Sequence, residues 1–352
     1  MDSADRLTLD TVLGWLAAGD RVMLATVART WGSAPRQPGA WAAVRADGAV
    51  VGSVSGGCIE ADLISRVKSG ELLAGPVRAL RYGETPEQAA RFGLPCGGKL
   101  EIVIEPAPQR AVLEALRERL AARLLSRRML DVASGLSTVE AADADVAFGW
   151  DGARLVVPHG PRRRLLIIGA AQISLHLAHL AQMLDYEVLV CDPREEYRAA
   201  WNVAGARLVD GMPDDAVTAL APDARTAVVA LTHDPKLDDL ALLEALDSPA
   251  YYVGALGSFR SNSRRRERLR EHFAVDAEQL SRLRGPVGFR IGSRTPAEIA
   301  LAIAAEMTAA KNGMPLAPVE GTEKVMQSGI HPDGAGDAPK EVPLGDTAPC
   351  AA

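Results

Sequence analysis

Leu165-Leu-Ile-Ile-Gly-Ala-Ala-Gln-Ile-Ser174 is the stretch on which the fold turns. Four apolar residues in a row are too few for a helix and read as a strand buried on both faces, closed by Gly169. Similar short runs recur at Val188 to Cys191, Leu208-Val209, Val228 to Leu231, Tyr251 to Val253 and Val287 to Ile291. Segments of helical character lie between several of them. Alternating strand and helix implies a parallel sheet covered on both sides, and right-handed crossovers make it a Rossmann-like doubly wound domain over 164–313. A dinucleotide fingerprint would read GxGxxG. Only Gly169 is present; Ala171 and Ser174 stand where the second and third glycines belong, and Ala171 adds a methyl where a pyrophosphate approaches the backbone. Asp192 lies 23 positions after Gly169, where an acidic ribose ligand is expected. This half-match supports the fold more than it supports NAD.

Upstream, residues 1–158 read as a smaller α+β domain. Leu7 to Ala18 is an amphipathic helix. Val22 to Ala28, Ala40 to Val44 and Ala49 to Val54 are strands, the last two joined at Asp47-Gly48. Ile59 to Lys68 is a helix, and the alternating Lys99 to Glu105 is a half-buried strand ended by Pro106. A helical extension begins at Ala111, and weak strands fill 131–158. A basic linker, 159–163, runs through Pro161-Arg-Arg-Arg into the second domain. The segment 314–352, rich in Pro, Gly, Ala and Asp without periodicity, reads as a disordered tail.

Two Cys-Gly loops carry the chemistry of the first domain. In Gly52-Ser-Val-Ser-Gly56-Gly57-Cys58-Ile-Glu60, Cys58 opens a helix. The helix dipole and free N–H groups there favour the thiolate, the form that attacks electrophiles and binds metals. The other reading is a small buried cysteine in a tight turn. In Phe92-Gly-Leu-Pro-Cys96-Gly97-Gly98 a second thiol precedes a strand. The spacing excludes a CxxC pair, and structural zinc would need four Cys or His ligands. Soft thiolates suit a sulfur-loving metal or sulfur handling. Thr30-Trp-Gly-Ser33-Ala-Pro-Arg36-Gln-Pro-Gly39 either holds an anion on Ser33 and Arg36 or is a structural loop. At the carboxyl ends of later strands stand His233 and Asp234, Gly257 and Ser258, and Thr295, where ligands of open α/β sheets bind. Thr295, Pro296 and Glu298 also spell a capping box with Pro at the first helical position. Arg264 to Arg270 is a basic helical stretch, read as a solvated face or as a contact for an acidic partner.

The formal net charge is −6 and aromatic residues are 4% of 352, which argues against nucleic-acid binding, since phosphate tracks need a basic surface and stacking platforms. No apolar run is long enough to span a membrane. The start, MDSADRLTLD, lacks the pattern of a signal peptide. Four cysteines are too few for a disulfide scaffold. The expected compartment is the cytoplasm.

Taken in order, GSAPRQPGA, GSVSGGCIE, PCGG, LLIIGA, CDPRE, LTHDPKLDD, YYVGALGS and IGSRTPAEIALAIAAEM resemble the XdhC/CoxI family, the xanthine dehydrogenase accessory factors. The resemblance covers about 20–105 and 163–312. It implies an XdhC/CoxI domain followed by a Rossmann-like domain. It implies a non-enzymatic chaperone that binds and protects molybdenum cofactor, a molybdopterin, and supports its sulfuration with a cysteine desulfurase. The cofactor is then inserted into an apo-molybdoenzyme of the xanthine dehydrogenase or aldehyde oxidase class. Cys58 and Cys96, with Gly56, Gly57, Gly97 and Gly98, match the family's GGC and CGG positions and are the candidate contacts to the cofactor and its molybdenum. A homodimer is expected. The chain departs from the family's GAGHV turn in Ala171 and Gln172. Two other functions stay open: an NAD(P)-dependent oxidoreductase resting on Asp192 and His233, and a thiol-based sulfur carrier.

Overall fold

The computed structural model describes residues 3–32, 36–92, 98–143 and 146–316. The first unit runs α1 (Ser3–Ala17), β1 (Val22–Trp31), β2 (Trp41–Arg45), β3 (Val50–Gly52), α2 (Cys58–Lys68), β4 (Arg78–Tyr82), α3 (Pro86–Arg91), β5 (Lys99–Glu105) and α4 (Arg110–Ala121). Its strands form an antiparallel sheet in the order β3-β2-β1-β5-β4. Both faces of β1 are covered, which is why Val22 to Ala28 is apolar but for the buried Thr26. Met23, Ala25 and Val27 meet Ile59, Leu63 and Val67 of α2; Val22 and Leu24 meet α1 and Leu113, Leu116 and Leu120 of α4. The spacing of Ile59, Leu63 and Val67 puts all three on one stripe of α2, and each is at most 1% exposed. Burial of each is worth about 1.5–3 kcal/mol.

The weak strands expected near 131–158 form a sheet of their own: β6 (Ser126–Asp131), β7 (Ser137–Ala141), β8 (Gly149–Trp150) and β9 (Arg154–His159), ordered β7-β6-β9-β8. Leu130, Leu155 and Val157 pack on Ala28 and Val103 of the first sheet. At this junction Arg128, 1% exposed, is paired with Glu105 and lies 5.7 Å from the Trp41 ring centre.

The third unit runs β10 (Arg164–Ile168), α5 (Gln172–Met183), β11 (Glu187–Cys191), α6 (Glu195–Ala200), β12 (Ala206–Val209), α7 (Pro213–Leu220), β13 (Thr226–Ala230), α8 (Pro235–Asp247), β14 (Tyr252–Ala255), α9 (Phe259–Phe273), α10 (Ala277–Arg282), β15 (Leu283–Arg284) and α11 (Pro296–Lys311). The sheet is parallel throughout, ordered β12-β11-β10-β13-β14-β15. That is the doubly wound order, with its reversal between β10 and β13. Leu165 and Ile167 face α5 and α11, while Leu166 and Ile168 face α7 and α8.

The expected strand at Val287 to Ile291 is not formed. The sixth strand is Leu283–Arg284, and the apolar run is irregular chain after Gly285-Pro286. Its backbone is held from below: the Glu306 carboxylate accepts from Gly288 N–H at 2.8 Å and from Arg284 and Tyr252. Pro286 has no N–H to give to a ladder. From residue 317 onward the expected tail lies outside the described residues. Among the described residues no helix is long and apolar enough to cross a membrane.

Candidate functional site

The register of the first sheet gathers its motifs. Trp31 lies opposite Lys99, Tyr82 opposite Leu100, and Gly52 opposite Ala42, next to the start of β2. The chain therefore leaves β1, β3 and β4 and enters β5 at the same end of the sheet. Gly32, the loop after Gly52 and Gly98 all belong to that end. A methyl group on Gly32 would stand 3.6 Å from the Gly98 Cα, so two of the motif loops touch. Ser33, Cys96 and Gly97 lie outside the described residues.

Glu60 organises the Gly52–Cys58 loop. One carboxylate oxygen accepts from Ser53 Oγ (2.7 Å), Val54 N–H (2.8 Å), Ser55 N–H (2.9 Å) and Gly56 N–H (3.3 Å). The other accepts from Ser55 Oγ (2.6 Å) and Gly57 N–H (2.7 Å). Burial alone would raise this carboxyl; the bonds from Ser55, Ser53 and the loop amides outweigh it and hold the group down at about 2. Gly57 has φ +147 with open space where a Cβ would be, a conformation that favours glycine. The loop thus turns into α2 with Cys58 as the first helical residue. The Cys58 side chain lies outside what is described.

At the ends of β1, β4 and β5 is a cleft of about 560 Å³ lined by Trp31, Gly32, Arg81, Tyr82, Glu84, Lys99 and Leu100, within the range of about 300–1,000 Å³ typical of small-molecule sites. Trp31 is 39% exposed, with the Arg29 guanidinium 5.6 Å from its ring centre. Tyr82 donates to Asp62 at 2.8 Å, one turn along α2 from Cys58, and packs edge-on against Phe92. A second cleft, of about 290 Å³, lies between Asp5, Arg36, Gly39, Phe148 and His159. Arg36 does not project as an isolated anion clamp. Its Nε donates to Ser53 O at 3.2 Å and its Nη2 to Asp5 at 3.3 Å, tying α1 to the cysteine loop.

The second set of expected residues gathers at the carboxyl edge of the parallel sheet. Gly169 has φ +104, and a methyl there would meet Thr232 N at 3.1 Å, so the turns after β10 and β13 abut at the reversal point. Asp192, the position expected to face a ribose, is instead turned inward. It is fully buried and accepts from Ala170 N–H (2.8 Å) and Arg194 Nη2 (2.8 Å) and Nε (2.9 Å). Burial opposes its ionisation, but Arg194 and the Ala170 amide hold the carboxyl below its usual value. His233 is exposed, in the left-handed region at φ +64. Asp234, Ser258 and Thr295 each cap a helix, accepting from Lys236, Ser261 and Glu298 N–H. Gly257 precedes the Ser258 cap at φ +137. Thr295 and Glu298 complete the capping box.

Sequence reading missed the residues beneath this edge. Asp238, fully buried, accepts from Thr232 Oγ1 (2.6 Å), Thr232 N–H (3.1 Å) and Arg265 (3.2 Å). Burial pushes its carboxyl up against the pull of Thr232 and Arg265. Arg265 also donates to Asp239 and to Leu256 O, so one network holds both the His233 and the Gly257 turns. Within the basic stretch, Arg264 and Arg270 are solvated as one reading had it. Arg265 is buried, Arg266 donates to Leu280 O and Leu283 O, and Arg268 pairs with Asp239. The signal was the adjacent pair Asp238-Asp239 at helical spacing, one turn after a cap.

The bonds between the third unit and the rest of the chain lie at the opposite, amino edge of the parallel sheet. There Arg123 reaches Asp223 and Arg162 O, and Arg225 reaches Pro161 O.

Comparison with known proteins bears on both sites. Residues 15–83 match the model of the XdhC and CoxI family, and 165–307 match the XdhC Rossmann domain. Among curated proteins, the chain is 29% identical over 301 residues to the molybdenum cofactor insertion chaperone PaoD of Escherichia coli, covering 84% of this chain and 85% of that one. It is 25% identical over 315 residues, 82% and 92% of the two chains, to a Bacillus subtilis protein whose name makes it a probable subunit of xanthine dehydrogenase. A crystal structure from Bacillus halodurans, titled as a xanthine dehydrogenase, superposes with a TM-score of 0.68 at 22% identity over 88% of this chain and 97% of that one. That likeness shows the fold.

Proposed function

The chain belongs to the XdhC and CoxI family, and from that premise we propose that it is a molybdenum-cofactor chaperone for an apo-molybdoenzyme of the xanthine dehydrogenase or aldehyde oxidase class. The cofactor is cargo: it is held, sulfurated with the help of a cysteine desulfurase, and handed on in the cytoplasm. The chain itself turns over no hydroxylase substrate. A homodimer is the proposed assembly.

One observation carries the reading. The loop that presents Cys58 and the chain at Gly98 lie at the same end of one sheet, and at that end β1, β4 and β5 border a cleft with an exposed Trp31, a cationic Lys99, an Arg81 that is paired with Glu101, and Glu84. A molybdopterin has a soft metal–dithiolene end, a flat heterocycle and a phosphate. Thiolates suit the first, the Trp31 face the second, and Lys99 and Arg81 the third. The donor set therefore fits the cargo. Cys58 and Cys96 would hold the metal end, with Gly56, Gly57, Gly97 and Gly98 admitting it to the backbone. Glu60 keeps the Cys58 loop in shape. Ser33, Arg36, Gly169, Asp192, His233, Asp234, Gly257, Ser258 and Thr295 form the wider set of proposed contacts, with Arg36 and Asp192 acting through the loops they bind. An NAD(P) role receives no support from an Asp192 that is fully buried and bonded to its own turn.

The test is anaerobic loading with molybdenum cofactor, desalting, and assay of molybdenum and of oxidised pterin fluorescence. Near-stoichiometric retention of both is expected in the wild type, with clear loss in Cys58→Ala and Cys96→Ala. No retention by folded wild-type protein would sink the chaperone reading. Full retention in both single variants and the double variant would remove the thiolates from it.

A further inference from the structure

The amino edge of the parallel sheet, opposite the edge that carries His233, holds a cluster of cations that form no ion pair among the described residues. Arg163 comes from the linker, Arg225 from the turn before β13 and Lys311 from the last residue of α11. All three are half-buried. Arg163 and Lys311 face a tyrosine pair, Tyr186 and Tyr251, whose hydroxyls share a hydrogen bond of 2.6 Å, and Arg225 interacts electrostatically with Arg163 and Tyr186. The Arg163 guanidinium lies 5.0 Å from the Tyr251 ring centre, and the Lys311 ammonium 5.9 Å from that of Tyr186. Among the described residues, no carboxylate lies within ion-pairing distance of any of the three. Asp223, the acid nearest Arg225 in sequence, is spent on Arg123 Nη2 (2.8 Å), Thr226 Oγ1 (2.7 Å) and the Arg225 backbone N–H (3.0 Å). Arg225 uses only its Nε, on Pro161 O at 2.8 Å.

Half-buried cations that repel one another cost free energy unless an anion joins them. The chain shows the cost. Burial first, then Arg163, pulls Arg225 down to about 10 against the opposing pull of Asp223; burial, Arg163 and Arg225 likewise lower Lys311, against the opposing pull of Asp185. The donors are of the right kind for an oxyanion. Two guanidinium forks match tetrahedral oxygens, and an ammonium adds a point charge. In a hydroxyl pair one O–H donates to the other, so the second proton is left to give; burial keeps both phenols protonated.

We propose that Arg163, Arg225 and Lys311, with the Tyr186–Tyr251 hydroxyl pair, form a binding site for a doubly charged tetrahedral oxyanion of the phosphate class. The site is separate from both the cysteine loops and the carboxyl edge, and it does not depend on the cargo proposed above. Because Arg163 sits in the linker, a bound anion also fastens the linker to β13 and α11.

The test uses the full chain and inorganic phosphate, with chloride at matched ionic strength as the control. Thermal melts and ³¹P line broadening should give a saturable phosphate response in the wild type. Arg163→Gln and Lys311→Gln should each weaken phosphate binding about tenfold or more, since each removes a charge-assisted contact. In chloride alone both variants should melt close to the wild type, because the repulsion each removes offsets the cation–π contact it loses. Tyr251→Phe, which keeps every charge and the ring, should weaken binding less. Glycerol phosphate binding as well as inorganic phosphate would mark the ligand as the phosphate end of a larger molecule; exclusion of the ester would mark free phosphate. Equal phosphate responses in wild type and both charge variants, or none in the wild type, would overturn the proposal.

Discussion

Replacing Glu60 with glutamine removes one charge and leaves the side-chain shape unchanged. The new amide carbonyl keeps the crowded side, where Ser53 Oγ and the Val54, Ser55 and Gly56 amides converge. Its NH₂ is then set against Gly57 N–H and Ser55 Oγ, and the Gly57 donor, one residue before Cys58, loses its acceptor. The size follows from the carboxyl's proton affinity. It sits at about 2 against an ordinary 4.5, and each tenfold change is worth about 1.4 kcal/mol, so the ionised form stabilises the fold by about 3 kcal/mol at neutral pH. A depressed carboxyl contributes fully above its unfolded value and less as pH falls toward its folded one. The contribution should therefore drop to about 1.4 kcal/mol at pH 3. Urea unfolding of wild type and Glu60→Gln at pH 7 and pH 3 isolates this group, because every other titration is common to both proteins. The gap between the two should narrow by about 2 kcal/mol on acidification, and the variant should also lose cofactor retention at pH 7. A gap that is the same at both pH values would refute the clamp, since it would mean that Glu60 contributes shape and not charge.

Three further outcomes follow from the packing. Gly169→Ala, at φ +104 with Thr232 N only 3.1 Å from the new methyl, should cost about 1–3 kcal/mol, read as a lowered midpoint of denaturation; an unchanged midpoint would mean that the turns after β10 and β13 can part freely. Arg128→Met should cost about 3–5 kcal/mol by leaving Glu105 buried and unpaired, while the double change Arg128→Met with Glu105→Leu should recover most of it; a double variant as unstable as the single one would deny that the lost pairing is the cause. Cys191 is fully buried, and burial raises its thiol to about 11. Cys191→Ala should therefore lower the count of thiols titrated by a disulfide reagent only after denaturation, from four to three, and a change in the native count would contradict the burial.

The third unit was legible because local signals agreed there. Continuous apolar strands, helices between them, and Thr295-Pro296 with Glu298 each point to one fold, and the capping box formed as its spacing implied. Val287 to Ile291 misled because an apolar run has no periodicity to separate a strand from a loop that covers a core edge. The site was legible only in part. Cys58 at a helix start and glycines at turns are backbone facts, fixed by neighbours in sequence. Glu60 was quoted within its motif, yet its six donors could not be read, because a carboxylate at the third helical position is equally at home as an exposed cap partner. Asp192 looked like a ribose ligand from spacing alone. Only the fold placed Ala170 N–H against it, while Arg194, two residues on, turns back to pair with it.

By itself the sequence determined what short-range chemistry determines: which segments are strands or helices, where glycine must turn the chain, and which residues can cap a helix. Tertiary structure alone decided which charges are spent. Arg265 was folded inward onto Asp238 and Asp239, whereas Arg163 and Lys311 were left facing two tyrosines with no acid at ion-pairing distance among the described residues. A buried charge is set by partners far away in the chain, through desolvation and Coulomb energy that fall off with distance in space and not with distance along the sequence.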